Sequence, residues 1–363
     1  MSTFSPHFVK SWIKNIFSGV LRKTQQVNLS LAVLGISKAR SGLLSEIARE
    51  VPGAIKHKHR LKRLWRFVSN HRIKPEKLTS FWINWCVSVF TSGKYIPIAI
   101  DWTTLPGNLP CLMAAIPFKG RAIPLLWQIV PFGNLKDSQN RVEERLITRL
   151  TNLIPKDKRI TILADRGFGR ASLVEFLLKK NLLFVLRVRA DVIIRTRKGK
   201  TILLRKFKLN PNYPYWFTKI SYRNDGLVAD INLAAIVAED SDDPWFLVTN
   251  LRTPESTIIR YETRFQIEEW FKDVKHRLGI DNLQTKNLKR IRRILFISCV
   301  AYGLLMLIGI MADRFTTWKD KLITRGKKGK ETCSKIWFAL KIIQYKIAPA
   351  FFWRRVWNRG RSP

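Results

Sequence analysis

The sequence predicts a mixed α/β protein built to meet a polyanion. Residues 95–190 pass from three β-rich runs into alternating helix and strand. Residues 261–275 have the spacing of an amphipathic helix, one edge of which sets a single acid, Glu268, among Tyr261, Arg264 and Lys275, groups able to hold phosphate. The chain of 363 residues carries 66 Lys+Arg against 26 Asp+Glu, a formal net charge of +40. That excess is far beyond what solubility asks for, and nucleic acid is its simplest counterpart.

In chain order, residues 1–75 are helical and basic. Leu43–Glu50 reads as a short amphipathic helix, Pro52-Gly53 as a turn, and Ala54–Val68 as a second helix carrying Lys58, Arg63 and Arg66 among other cations. Such a pair is either a helix-turn-helix that enters the major groove or part of a helical bundle with a solvated basic face. Residues 76–190 begin with a helix up to about residue 94. Tyr95–Asp101, Cys111–Pro117 and Ala122–Val130 then read as strands, with Phe118–Arg121 as a hairpin loop. Ser138–Leu153 is a charged amphipathic helix, Ile160–Ala164 a buried strand, Arg170–Lys180 a helix and Leu182–Val188 a strand. Three strands, a helix, then strand-helix-strand is the order of a ribonuclease-H-like sheet with helices on its faces. In such a sheet the first and fourth strands are neighbours, which brings Asp101 and Asp165 together.

Residues 191–250 break the alternation. Short β runs at Val192–Thr196, Thr201–Leu204, Trp216–Ile220 and Ile231–Val237 read as a β-rich insertion. Trp245–Thr249 is a strand that leads back to residues 251–315. There, Ile294–Ala312 is apolar enough to approach a membrane span; the alternative is a helix buried on all sides, which its place after the amphipathic segment favours. Residues 316–363 form a basic helical tail that includes Lys319, Lys321, Arg325, Lys327, Lys328, Lys330, Arg354, Arg355, Arg359 and Arg361. Ile336, Trp337, Leu340, Ile343 and Ile347 give one side of a helix that packs either within the chain or on a second protomer.

Composition narrows the classes further. Thirteen Trp and twenty-one Phe suit a packed core rather than a disordered basic chain. Cys86, Cys111, Cys299 and Cys333 are scattered without a C-x2-C pair, so zinc ribbons and disulfide frameworks are not expected and a reducing cytoplasm fits. The N-terminus mixes Lys10, Lys14, Arg22 and Lys23 into its apolar residues, so no secretory signal is expected. Only five His occur and none lies beside the candidate acids, which disfavours a histidine base.

On a helix wheel, Tyr261, Arg264, Glu268 and Lys275 fall within roughly 60° of one another, and Glu269 turns about 100° away from Glu268. The spacing Tyr261-x2-Arg264-x3-Glu268-x6-Lys275 resembles the signature of DDE transposases of bacterial insertion sequences, in the branch called family four. The same family has one Asp ending a hydrophobic strand and a second in an Asp-x-Gly-aromatic context. Ile96–Ile100 running into Asp101, and Ile160–Ala164 running into Asp165-Arg-Gly-Phe168, match both in order, and the likeness covers roughly residues 95–310. The resemblance implies a ribonuclease-H-like catalytic domain interrupted by a β insertion, an N-terminal helical region that binds the element's ends, and a homodimer on double-stranded DNA. Localisation would be the bacterial cytoplasm, at the nucleoid, without a membrane. Tyr261, Arg264 and Lys275 would hold phosphates or orient Glu268. Trp245 would stack on a flipped base; its alternative is ordinary strand packing, and Trp216 is a weaker rival.

The chemistry of phosphodiester cleavage explains three acids. An attacking oxygen must be activated and a leaving oxygen stabilised, and two Mg²⁺ or Mn²⁺ ions held by hard oxygen ligands do both. Asp101 would bridge the ions, with Asp165 and Glu268 completing their shells. A lone Asp at a strand end is more often a turn residue or a cap, but two such Asp and a Glu in this order point to a site. A divalent-metal nuclease without strand transfer and a DNA-binding protein with an inactive catalytic domain share these features and stand as the alternatives.

Overall fold

The computed structural model describes residues 4–131, 139–223, 227–238, 242–315 and 334–361. Five helices open the chain: α1 (Pro6–Phe17), α2 (Lys23–Ala39), α3 (Leu44–Glu50), α4 (His57–Ser69) and α5 (Pro75–Phe90). Local chemistry sets their starts. Ser5 caps α1 through the Phe8 N–H, and Pro6 and Pro75 occupy the first turns of α1 and α5, where a missing N–H costs nothing. In α4, Leu64, Phe67 and Val68 are buried, whereas Lys58, Arg63 and Arg66 are exposed. The link between α3 and α4 spans residues 51–56 and is longer than the turn of about three to four residues of a helix-turn-helix.

Ten strands form one sheet in the order β3-β2-β1-β4-β5-β10-β9-β8-β6-β7. They are β1 (Tyr95–Leu105), β2 (Leu109–Phe118), β3 (Arg121–Ile129), β4 (Arg159–Ala164), β5 (Leu183–Val188), β6 (Ile193–Arg195), β7 (Thr201–Leu203), β8 (Tyr215–Arg223), β9 (Leu227–Ile236) and β10 (Trp245–Thr249). The β2–β3 turn places Lys119 and Gly120 both at positive φ, the requirement of a tight two-residue hairpin. Helix α6 (Gln139–Leu153) precedes β4, and α7 (Ala171–Lys179) joins β4 to β5. The first five strands thus lie in the order 3-2-1-4-5, with β1, β4 and β5 parallel, a mixed α/β arrangement compatible with a ribonuclease-H-like domain. The residues expected as a β-rich insertion extend this sheet. Strand β10 pairs antiparallel with β5, and β9, β8, β6 and β7 continue the same sheet outward from it. The open edge of β5 supplies unpaired backbone groups, and the later strands satisfy them.

After the sheet come α8 (Pro254–Glu262), α9 (Gln266–Lys272), α10 (Leu288–Ala312), α11 (Lys335–Tyr345) and α12 (Ala350–Gly360). Helix α10 is long and apolar enough to cross a membrane by length and composition, and 94% of its most apolar stretch is buried inside the protein. It packs on α2, α5, β3, α11 and α12. At Gly309 a Cβ would lie 2.1 Å from the Lys335 carbonyl oxygen, so α11 approaches α10 only because no side chain stands there. The apolar stripe of α11 is therefore satisfied within the chain: Ile336, Leu340 and Ile343 are buried. Two indole N–H bonds fix the helical layer to its surroundings, Trp82 to the Pro124 carbonyl of β3 at 2.7 Å and Trp85 to the Gly360 carbonyl of α12 at 2.7 Å. Apolar contacts run without a break from α1 through the sheet to α12. Cys86, Cys111 and Cys299 are buried free thiols. Ser138, Cys333 and the expected cations at 319–330 lie outside the described residues.

Candidate active site

Parallel pairing positions the two aspartates. Strands β1 and β4 run in register from Tyr95 opposite Arg159 to Ala99 opposite Leu163. Strand β4 ends at Ala164, and Asp165 opens the short 3-10 turn Arg166–Phe168, its Oδ1 accepting the Gly167 N–H at 2.9 Å. Both acids consequently emerge at the carboxyl end of the parallel pair, where α/β sheets place their ligands. Asp101 does not end its strand, as the sequence had suggested. Strand β1 continues to Leu105 because it pairs with β2, Asp101 lying opposite Met113.

The third acid comes from the segment after β10. Arg264, 5% exposed, donates from Nη1 to Asp101 Oδ2 at 3.3 Å and from Nη2 to Glu268 Oε1 at 2.5 Å. Its guanidinium also lies 4.4 Å from the centre of the Phe265 ring. Burial in the sheet, followed by the charge of Asp165, pushes Asp101 up to about 7; Arg264 and the Trp102 N–H pull the other way, and Glu268 adds to the rise. Asp101, Asp165 and Glu268 are thus electrostatic neighbours. Glu269 faces elsewhere, paired with Arg121 at 3.3 Å and Lys272 at 2.7 Å, and it is held below the usual carboxylate range chiefly by the Lys272 hydrogen bond.

The single helix expected over 261–275 is not continuous. Thr263–Phe265 is a 3-10 turn and Asp273–Arg277 a π turn on either side of α9. A 3-10 turn advances more per residue and a π turn less, so helix-wheel angles do not carry across them. Lys275 is half-buried and makes no ion pair among the described residues; Cys111 feels its charge. Tyr261 is wholly buried, and burial pushes its phenol up to about 12 against the nearby guanidinium groups of Arg264 and Arg187. The Trp245 ring stacks on Phe265 at 5.7 Å and meets Tyr261 edge-on at 5.0 Å. It is half-buried, as is Trp216, and both pack against a small cluster that includes Tyr261 and Leu247.

Sequence reasoning passed over Glu143. Fully buried on α6, it accepts from Trp102 Nε1 at 2.9 Å, from Gln139 Nε2 at 3.1 Å and from Arg170. One carboxylate therefore ties the residue after Asp101 to the loop after Asp165. Its signal was legible, because Glu143 belongs to the buried stripe of Val142, Leu146, Ile147 and Leu150, where an acid needs partners. Arg121 and Asp273 were also missed. Asp273, 3% exposed, bonds Arg121 at 2.8 Å, Arg277 at 2.7 Å and the Tyr302 hydroxyl at 3.2 Å.

The donor set suits a hard divalent cation, being three carboxylates of which one, Asp101, is disfavoured as an anion by burial and then by the charges of Asp165 and Glu268. Among the described residues no three acidic, thiol or imidazole groups already stand at liganding distance. The guanidinium of Arg264 bridges Asp101 and Glu268.

No curated protein matches the sequence. The family model described as Transposase DDE domain matches residues 92–304, a span that holds Asp101, Asp165 and Glu268 and takes in more than half of the chain. On that span the chain belongs to the transposase DDE domain family.

Proposed function

We propose that the protein is a transposase that binds the terminal inverted repeats of a bacterial insertion sequence, cuts the DNA strand and joins the freed 3′-end to target DNA. The observation that carries this is Arg264 bridging Asp101 and Glu268 while the β1–β4 pairing presents Asp165 beside Asp101. The family uses divalent metals. Asp101, Asp165 and Glu268 would hold two Mg²⁺ or Mn²⁺ ions, with Asp101 shared. When bound, such ions lower the pKa of the attacking oxygen and stabilise the leaving one.

The chain's own residues do the rest. Arg264 fixes the carboxylates of Asp101 and Glu268 relative to each other before substrate arrives, which limits reorganisation on binding. Glu143 holds Trp102 and Arg170, and through them the backbone that carries the two aspartates. The exposed cations Lys58, Arg63 and Arg66 on α4 meet phosphates of the element's end, within an end-binding region at residues 1–75. The protein works as a homodimer on nucleoid DNA in the bacterial cytoplasm.

The test is cleavage and strand transfer on a labelled duplex carrying the element's own end, with Mg²⁺ or Mn²⁺, comparing wild type with Glu268→Gln and Glu269→Gln. Loss of both products in Glu268→Gln alone, with DNA binding kept, is the expected result. Equal activity of wild type and Glu268→Gln would sink the metal-site assignment. Cleavage without joining would leave a nuclease.

A further inference from the structure

A groove of about 730 Å³ begins at the turn after Asp165 and has no part in the chemistry above. Arg166 and Arg170 line it from that turn, Arg187 and Arg189 from the end of β5, and Arg205 from the turn after β7. Glycine lets these walls meet, because a Cβ at Gly169 would lie 2.5 Å from the Arg187 carbonyl oxygen. The Arg205 N–H bonds the Ala190 carbonyl at 2.8 Å, which fixes the far wall.

Two of the five arginines are consumed by the fold in part. Arg187 bonds Asp243 and, at 3.0 Å, the Pro244 carbonyl. Arg170 bonds Glu143 through Nη1, yet its Nε and Nη2 are buried without a hydrogen-bond partner, Glu144 standing 3.9 Å away, too far for such a bond. Arg189 and Asp191 form an exposed pair at 3.3 Å, of a kind that competes weakly with a polyanion. Arg166 and Arg205 are exposed and form no ion pair with the described residues. A row of guanidinium groups leading away from a catalytic acid matches a row of phosphates.

We propose that this groove carries the phosphodiester backbone of DNA lying outside the element, immediately beyond the scissile phosphate; this rests on the transposase reading. The rest of the lining selects that DNA. Its acids, Asp191 and Asp243, are paired with Arg189 and Arg187, and Gly167, Gly169, Val188, Ala190 and Pro244 offer no polar side chain to read a base edge. The element's end has one sequence and can be read through its bases. Flanking DNA differs at every insertion, so it must be held through phosphates alone.

Binding of the full-length protein to two labelled duplexes tests this. Both contain the element's end, but only one continues about ten base pairs past the cut, roughly one helical turn. The variants are Arg189→Ala/Arg205→Ala, its conservative counterpart Arg189→Lys/Arg205→Lys, and Arg195→Ala as a control at an exposed position of β6 outside the groove. On the extended duplex the double alanine variant should lower the slope of log K against log salt by about 1–2 and weaken binding by roughly tenfold, with lysine restoring the slope. On the duplex that stops at the cut it should match wild type. Equal binding of wild type and the alanine variant to the extended duplex overturns the proposal, as does an equal loss on both duplexes. Binding is read without cleavage, so failure of wild type to cut would count against the transposase reading and leave the groove's test intact.

Discussion

Two charge clusters share the segment from Tyr261 to Arg277, and they are built in opposite ways. On one side Asp273 is enclosed by Arg121, Arg277 and Tyr302, while Glu269 is paired with Arg121 and Lys272. On the other side a single guanidinium, Arg264, serves Asp101 and Glu268, and Asp165 adds a further negative charge. The first cluster is complete without a ligand. The second is left with one of its acids raised to about 7, as the proposed cation site would require and a closed ion-pair network would not. Neighbouring glutamates, Glu268 and Glu269, fall on the two sides of that divide.

The sharpest separation comes from neutralising one acid in each cluster. Asp101→Asn should cost at least about 10³-fold in cleavage, some 4 kcal/mol of transition-state stabilisation. The same change should stabilise the metal-free fold, because an uncharged amide removes a buried carboxylate. Asp273→Ala should do the reverse in stability, losing about 3–5 kcal/mol by leaving Arg277 and the buried Tyr302 hydroxyl without their partner and Arg121 with Glu269 alone. Thermal melts and cleavage assays on the two variants check the contrast. Two destabilised proteins would show that both clusters are structural.

Glu143→Gln sharpens the comparison from a third position. The amide can still accept from Trp102, but Arg170 loses its nearer, buried charged partner and keeps only Glu144 at 3.9 Å, so about 2–4 kcal/mol should be lost. Because Glu143 lies outside both clusters, the cleavage lost per folded molecule measures how far the aspartate-bearing backbone depends on it. Urea melts together with active-site titration separate the two effects.

Much of this architecture was legible because its signals are local. Apolar runs ending near Asp101 and Asp165, together with the order of strands and helices, were enough to place β1 beside β4. The β region after residue 191 was recognisable as strands, but its attachment to β5 was not, since pairing between β5 and β10 joins distant residues through backbone groups that all sequences share. The interruption of the 261–275 helix was hidden for a different reason. No Gly or Pro marks the 3-10 turn at Thr263–Phe265 or the π turn at Asp273–Arg277, so periodicity alone reads the segment as one unbroken helix. Arg264 was identified from its spacing, but its double bond to Asp101 and Glu268 depends on β1, which the helix alone cannot reveal.

pH distinguishes the clusters more finely. Asp101 has its folded value raised from the usual carboxylate range to about 7. Between pH 4 and 7 the folded state therefore binds more protons than the unfolded chain, so Asp101 costs the fold progressively more as pH rises through that window and no more above it. Urea melts without divalent metal should show Asp101→Asn equal to wild type near pH 4 and more stable by roughly 1–3 kcal/mol above pH 7. With metal present the same proton competes for the ligand, so wild-type cleavage should fall below pH 7 and recover with added Mg²⁺. A pH-independent difference between the two proteins would show that packing of the amide, rather than ionisation of the carboxylate, sets the cost.

The smallest effect belongs to Lys272, the outermost member of the paired cluster. It is fully exposed, its bond to Glu269 duplicates what Arg121 already supplies, and solvent screens it. Lys272→Ala should leave the melting temperature unchanged within error and cleavage within about twofold. A large loss of cleavage with an unchanged melt would move Lys272 out of the closed cluster and onto the DNA. The division between the two faces of this segment would then lie one helical turn further along than the ion pairs place it.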